Sequence, residues 1–192
     1  DMIVEWQSVT QTLGDGTEIV MRKPVYHIEN PNYGPLPDNL LTSPRVASPM
    51  IGLGLVEAIP ESALLANEDP NDADSDGISG RANRVWDRTS KQTVVGRFGW
   101  KAGQPSILQQ SMDAFAGDMG LTSTVAPSTD CTSEQECERF PDGGQPEVTD
   151  KVASFIEFYA SSLAVPTRRD MDDPIVKQGA KLFNDLTCAA CH

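Results

Sequence analysis

The chain has 192 residues, 39% of them hydrophobic and 22% charged, which suits one globular domain or one domain plus part of another. Fifteen Lys and Arg against 28 Asp and Glu leave a formal charge of -13. Such a surface repels phosphate backbones and anionic lipid, which sets aside nucleic-acid and membrane-surface binding and favours cationic partners or divalent cations. No apolar run approaches the roughly 20 residues of a membrane span.

In chain order, Ile3-Val4-Glu5-Trp6 and Ile19-Val20-Met21 are rich in strand formers, and Gly14-Asp15-Gly16 lies between them, so residues 3–28 are predicted as a β-hairpin. Pro31, Gly34, Pro35, Pro37, Pro44 and Pro49 mark an irregular connector. A buried helix is expected over Ser48–Ile59 and a short second one over Glu61–Ala66. The acidic loop 68–80 follows, and Arg84-Val85-Trp86 with Thr93-Val94-Val95 predict a second small hairpin. Leu108, Met112 and Phe115 recur at helical spacing between Pro105 and Gly117. Val148, Val152, Phe155, Ile156, Tyr159 and Leu163 predict one apolar helix face closed by Pro166. Asp173-Pro174, an N-cap followed by proline in the first turn, opens a last helix through Val176, Leu182 and Phe183. The sum is a mainly α chain with small β-hairpins, an irregular α+β arrangement. The best internal boundary lies between Pro166 and Asp173.

The four cysteines form two pairs of different character. Cys131 and Cys137 flank a polar, loop-like stretch, and five intervening residues close a small ring without strain, so a disulfide is expected, two free surface thiols being the alternative. A disulfide implies an oxidising compartment, the periplasm or the cell exterior.

Cys188-Ala189-Ala190-Cys191-His192 carries the strongest chemistry. Two cysteines three apart on a helical turn can form thioethers to the two vinyl groups of one porphyrin, and the histidine that follows becomes the proximal iron ligand. A redox Cys-x-x-Cys would want a thioredoxin-like βαβ setting. A zinc site would want a fourth ligand, yet the only other histidine, His27, sits far away in a strand-like segment. A second structural disulfide would make the adjacent histidine a coincidence. Covalent c-type haem is the expectation. Met50, Met112, Met119 and Met171 are further possible axial ligands, Met112 fitting a core position better.

The second signal is the loop from Asp69 to Ser79. Asp72, Asp74, Asp76 and the carbonyl of Ile78, with Gly77 for a sharp turn, resemble the first half of a calcium loop. Asn83 stands at the twelfth position where a bidentate Glu belongs, and Pro70 argues against the flanking helices of an EF-hand. Calcium outside an EF-hand fold and a solvated acidic turn both stay open. A third region, Gly96 to Lys101 through Gln109-Gln110 to Gly120, mixes an aromatic, amides and a carboxylate near a helix; its composition fits core and helix cap, with a pocket lining as the alternative.

Several blocks occur in order: Ile51-Gly52-Leu53-Gly54-Leu55-Val56-Glu57-Ala58-Ile59-Pro60, the Asp72-to-Gly80 loop, Gly96-Arg97-Phe98-Gly99-Trp100-Lys101-Ala102, Ala116-Gly117-Asp118-Met119-Gly120, Leu163-Ala164-Val165-Pro166-Thr167-Arg168-Arg169 and the terminal Cys-Ala-Ala-Cys-His. Together they resemble the bacterial di-haem oxidoreductase family, whose members carry peroxidase or thiol oxidoreductase labels. That family is similar in layout to the di-haem cytochrome c peroxidases, with two cytochrome-c-like haem domains and a calcium ion near their interface.

The resemblance implies an internal piece of a longer periplasmic enzyme. Residues 1–166 would be most of a first, peroxidase-like haem domain without its own haem motif. Residues 167–192 would be the opening helix and haem motif of a second, with His192 its proximal ligand. Gln110 and Asp118 become the counterparts of the glutamine and glutamate that assist O–O cleavage, and Trp100 the aromatic group between the haems. The implied reaction is peroxide reduction with electrons from a small electron-donor protein such as a cytochrome, the isolated piece being inactive. A haem electron carrier without peroxide chemistry is the second reading, and a calcium-stabilised module without haem the third. An exchangeable sixth iron position separates the first two, and a calcium-dependent melting temperature tests the loop in the third.

Overall fold

The computed structural model describes residues 1–31, 35–131, 139 and 141–191. Cys137 and His192 therefore lie outside the described residues. The chain divides into two compact units, Asp1–Val46 and Ala47–His192.

The first unit holds the predicted hairpin. β1 (Met2–Thr12) pairs antiparallel with β2 (Glu18–Ile28), in a register running from Met2 opposite Ile28 to Thr12 opposite Glu18. Gly16 takes a left-handed φ of 85° in the turn, and the Asp15 carboxylate accepts the Thr17 N–H at 2.9 Å. Because side chains alternate along a strand, Val4 and Trp6 share a face with Tyr26 and Pro24, while Glu5 and His27 share the other. On that second face His27 Nε2 lies 3.4 Å from Glu5, which makes it a strand-face residue paired with a carboxylate. Arg22 stacks over Trp6 at 4.9 Å, a cation–π contact that shields part of the indole.

Among the described residues the second unit holds five α-helices and the second hairpin. α1 is confined to Leu53–Glu57 and none of its residues is buried, which corrects the expectation of a buried helix over Ser48–Ile59. Gly52 adopts φ 74°, which an α-helix cannot pass through, and its N–H donates to Leu163 O at 2.8 Å instead of entering a longer helix. α2 spans Glu61–Leu65, and β3 (Arg84–Asp87) pairs with β4 (Gln92–Val95), both as predicted.

α3 (Ile107–Met119) starts where Ser106 Oγ accepts the Gln109 N–H at 3.1 Å and stops at Gly120, whose φ of 71° gives a left-handed cap. α4 (Asp150–Ser162) is capped by Thr149, and α5 (Pro174–Asp185) by Asp173, whose carboxylate accepts the Ile175 N–H at 2.7 Å. A 3₁₀ turn, Cys188–Ala190, follows α5. The result is a mixed α/β chain with two small antiparallel hairpins and, among the described residues, five α-helices. None of these helices is long and apolar enough to cross a membrane.

The core lies on both sides of α3. Met112 and Ala116 pack with Ala126, Val148 and Ala153, and with the partly buried Leu108, Phe115 and Ile156. Ile107 packs with Phe98, Ala160 and Leu53. Ile107 and Met112 are fully buried, each worth about 1.5–3 kcal/mol of apolar transfer.

α4 departs from its expected single apolar face. It buries the small Ala153 and Ala160, whereas Val152, Phe155, Phe158 and Tyr159 are all exposed on the far side. The helix is apolar on two sides, only one of which is covered among the described residues. The backbones of α1 and α4 approach so closely that a Cβ on Gly54 would stand 2.2 Å from Ser161 O.

Candidate functional site

The segment from Arg84 to Met119 assembles the third sequence region into one piece of structure. Gln104 and Phe98 exchange backbone hydrogen bonds, Phe98 N to Gln104 O at 3.1 Å and Gln104 N to Phe98 O at 3.2 Å. This clasp closes a loop carrying Gly99, Trp100 and Lys101. The Asn83 amide nitrogen donates to the carbonyls of Lys101 and Ala102, both at 3.1 Å, so the residue at the twelfth position of the acidic loop holds this turn. Trp100 is 71% exposed at the loop tip and so takes no part in the packed core.

The two adjacent glutamines of α3 have opposite fates. Gln109 is 4% exposed and fully engaged: its Oε1 accepts the Arg88 N–H at 2.9 Å, and its Nε2 donates to Trp86 O and Gln104 Oε1, both at 3.1 Å. Among the described residues Gln110 keeps a buried Oε1 without a hydrogen-bond partner, and a Cβ on Gly99 would stand 3.4 Å from that oxygen. A buried carbonyl left unpaired costs about 1–3 kcal/mol, so this oxygen is a site where a donor would be held. Asp118 is exposed near the far end of α3, eight residues and so roughly 12 Å further along the axis.

Two carboxylates that sequence reasoning missed meet where α1 and α4 pack. Glu57 Oε1 accepts the Ile107 N–H at 3.0 Å, at the positive end of α3. Burial first, and the neighbouring Glu57 second, push the Glu157 carboxyl above the ordinary carboxylate range. Glu57 also lines an open groove of about 610 Å³ with Leu55, Ala58, Ser161, Leu163 and Val165. The available signal was a carboxylate inside an otherwise apolar stretch, present in both helices.

In the acidic loop, carboxylate oxygens of Asp69, Asp72 and Asp74 lie within 4.8 Å of one another. Asp69 was not among the expected ligands. The chain folds back there, with Asp69 N donating to Gly80 O at 2.9 Å, which brings Asp69 beside the alternating aspartates. Asp76 instead accepts the Ile78 N–H at 2.8 Å. Asp72 accepts the Gly77 N–H at 3.1 Å, while Gly77 takes the positive φ of 85° expected of the sharp turn.

Cys188 and Cys191 are both free thiols, the first partly exposed and the second exposed, and Cys191 N donates to Cys188 O at 3.3 Å. One turn therefore presents two thiols, a donor set that fits attachment of a single porphyrin. His192 and Cys137, the remaining partners expected from the two cysteine motifs, lie outside the described residues.

In comparison with known proteins, no curated protein and no solved structure matches the chain. A family described as "Di-haem oxidoreductase, putative peroxidase" matches across residues 1–192. With that match over its full length, the chain belongs to the di-haem oxidoreductase family.

Proposed function

We propose that the chain is part of a periplasmic di-haem c-type oxidoreductase that reduces peroxide with electrons from a small donor protein. The observation that carries this reading is the pair of free thiols on one turn after α5, in a chain whose family is named for two haems. Cys188 and Cys191 would hold one haem through thioethers and His192 would bind its iron. The cofactor supplies the redox-active iron, and a peroxide taking up two electrons and two protons leaves as two waters.

The chain's own residues then have separable tasks. The unpaired Gln110 Oε1 accepts a hydrogen bond from a peroxide or water O–H. The exposed Asp118 takes up and returns a proton. Trp100 offers an indole at the protein surface for electron passage. The cluster of Asp69, Asp72 and Asp74 supports Ca²⁺ as a structural ion, since hard carboxylate oxygens on a loop suit it better than a transition metal. A Cys131–Cys137 disulfide fits the same oxidising compartment. Residues 1–166 and 167–192 divide between the two haem domains, the second opening with α5 in a cytochrome-c-like arrangement.

The test is an intact mass with a reduced pyridine haemochrome spectrum on chain matured in the periplasm with the haem-attachment machinery. One added haem and a c-type band are expected, both lost in Cys188→Ser/Cys191→Ser. A bare polypeptide mass under those conditions overturns the cytochrome reading. Peroxide-dependent oxidation of a reduced cytochrome by the haem-loaded, full-length protein separates the peroxidase from a simple electron carrier.

A further inference from the structure

We propose that Arg88, Gln109, Gln104 and Asp113 form a closed hydrogen-bonded ring that fixes the Trp100 loop against the helix carrying Gln110, which makes Gln109 and Gln104 positioning residues for the proposed reaction. The catalytic part of this inference rests on the peroxide reading above, whereas the ring itself rests on geometry alone.

Three bonds run from Arg88 to Asp113, and the closing ion pair again has Arg88 as donor and Asp113 as acceptor. The Arg88 N–H donates to Gln109 Oε1 at 2.9 Å, Gln109 Nε2 to Gln104 Oε1 at 3.1 Å, and Gln104 Nε2 to Asp113 Oδ2 at 2.8 Å. The Arg88 guanidinium closes the ring on the Asp113 carboxylate through both nitrogens, Nη2 lying 3.2 Å from Oδ2. Both ends of each amide are engaged, so rotating either amide by half a turn would set acceptor against acceptor and donor against donor. A bidentate ion pair anchors the sequence of bonds, and Gln109 is 4% exposed, so water competes poorly for its amide.

Three pieces of chain are tied together. Arg88 follows β3, Gln109 and Asp113 stand one turn apart on α3, and Gln104 is the residue whose backbone clasps Phe98 to close the Gly99–Lys101 loop. The neighbour of Gln109 is Gln110, with its unpaired oxygen facing Gly99. The ring thus sets the distance between the exposed indole and the buried amide oxygen, although none of its members needs to touch substrate. Misplacement of a reacting group by about 1 Å can cost about 100-fold in rate, so a lock of this kind has catalytic consequence.

Anisotropy is read on the 192-residue chain matured with haem, in a Trp6→Phe/Trp86→Phe background that leaves Trp100 as its reporter, and turnover on the haem-loaded, full-length protein carrying the same substitutions. Gln109→Glu keeps size but replaces two donations with acceptor-to-acceptor contacts at Trp86 O and Gln104 Oε1. Gln104→Met breaks the ring while leaving Gln109 bonded to Arg88 and Trp86, and serves if Gln109→Glu fails to fold.

Time-resolved anisotropy of Trp100 is read well below the melting temperature, where the amplitude of its fast component is expected to rise about twofold. The turnover number for peroxide, measured per haem, is expected to fall about tenfold with little change in KM. Adding Trp100→Phe should abolish any further effect of Gln104→Met on turnover. Lower melting temperature with unchanged anisotropy and turnover means a merely structural network and overturns the proposal. A larger fast component of the anisotropy decay together with no peroxide turnover in the unsubstituted haem protein leaves the ring standing and removes the peroxide reading instead.

Discussion

Replacing Gly96 by alanine places a single methyl group against a backbone carbonyl. Its Cβ would stand 1.8 Å from Ala102 O and 3.2 Å from a Val85 methyl carbon. Ordinary contact begins at 3.4 Å, so either Gly96 or the Ala102 carbonyl must give way by about 1.6 Å. Neither is free to do so. The Gly96 N–H is bonded to Asn83 O at 2.9 Å, and the Ala102 carbonyl accepts from the Asn83 amide at 3.1 Å. Overpacking of this kind costs about 1–3 kcal/mol. Loss of the Asn83 side-chain bond adds about 1 kcal/mol, for roughly 3 kcal/mol in total. In a chain of this length that lowers the melting temperature by roughly 6–12 °C. Chemical denaturation followed by circular dichroism measures it, with Gly103→Ala as the control because a Cβ there meets nothing within 4 Å. If the two variants unfold within about 0.5 kcal/mol of each other, the close approach of the Gly96 strand and the Trp100 loop is wrong.

Glu157→Gln should change stability in a pH-dependent way. Burial and Glu57 raise the folded pKa of Glu157, so its contribution is fully present below its unfolded pKa and lost as pH rises through the raised folded value. The variant should match the parent near pH 4 and melt higher at pH 7; a difference that stays constant with pH refutes the assignment. Ser106→Ala removes the oxygen that accepts the Gln109 N–H, and should cost about 1 kcal/mol of stability in the same denaturation assay. Ca²⁺ at about 100 times its dissociation constant should add about 2.7 kcal/mol, and Asp72→Asn should blunt the rise in melting temperature. Equal melting curves in calcium and chelator would remove the ion from the acidic loop.

Local chemistry was the most legible part of the sequence. Asp173-Pro174 opened α5 where expected, and both hairpins formed between their runs of β-branched residues, because caps, turns and strand propensity act over a few residues. What escaped was decided by contacts between distant segments. Gly52 looked like an ordinary member of an apolar run, yet its left-handed φ and its bond to Leu163 cut α1 to five residues. The apolar pattern of α4 correctly marked a helix, but it could not show that Ala153 and Ala160 would face inward while Phe155 and Tyr159 faced out.

In the candidate site, residue types were readable and their division of labour was not. Gln109 and Gln110 are identical in sequence terms, and only the positions of Arg88, Trp86 and Gln104 distinguish the engaged amide from the one with a spare oxygen. Asp69 joined the aspartate cluster because the chain pairs Asp69 with Gly80, a backbone contact with no side-chain signature.

The ring around Gln109 draws all its members from residues 88 to 113, its longest link joining positions 25 apart. Closing so short a stretch costs little chain entropy, and contacts of low sequence separation form early in folding. β3, β4, the Trp100 loop and α3 can therefore consolidate as a cooperative unit before α4 arrives from the other side of the 120–149 segment. The Gln110 and Trp100 geometry would then be in place before α4 and the far cysteine motif pack, so haem attachment at that motif would act on a region already set.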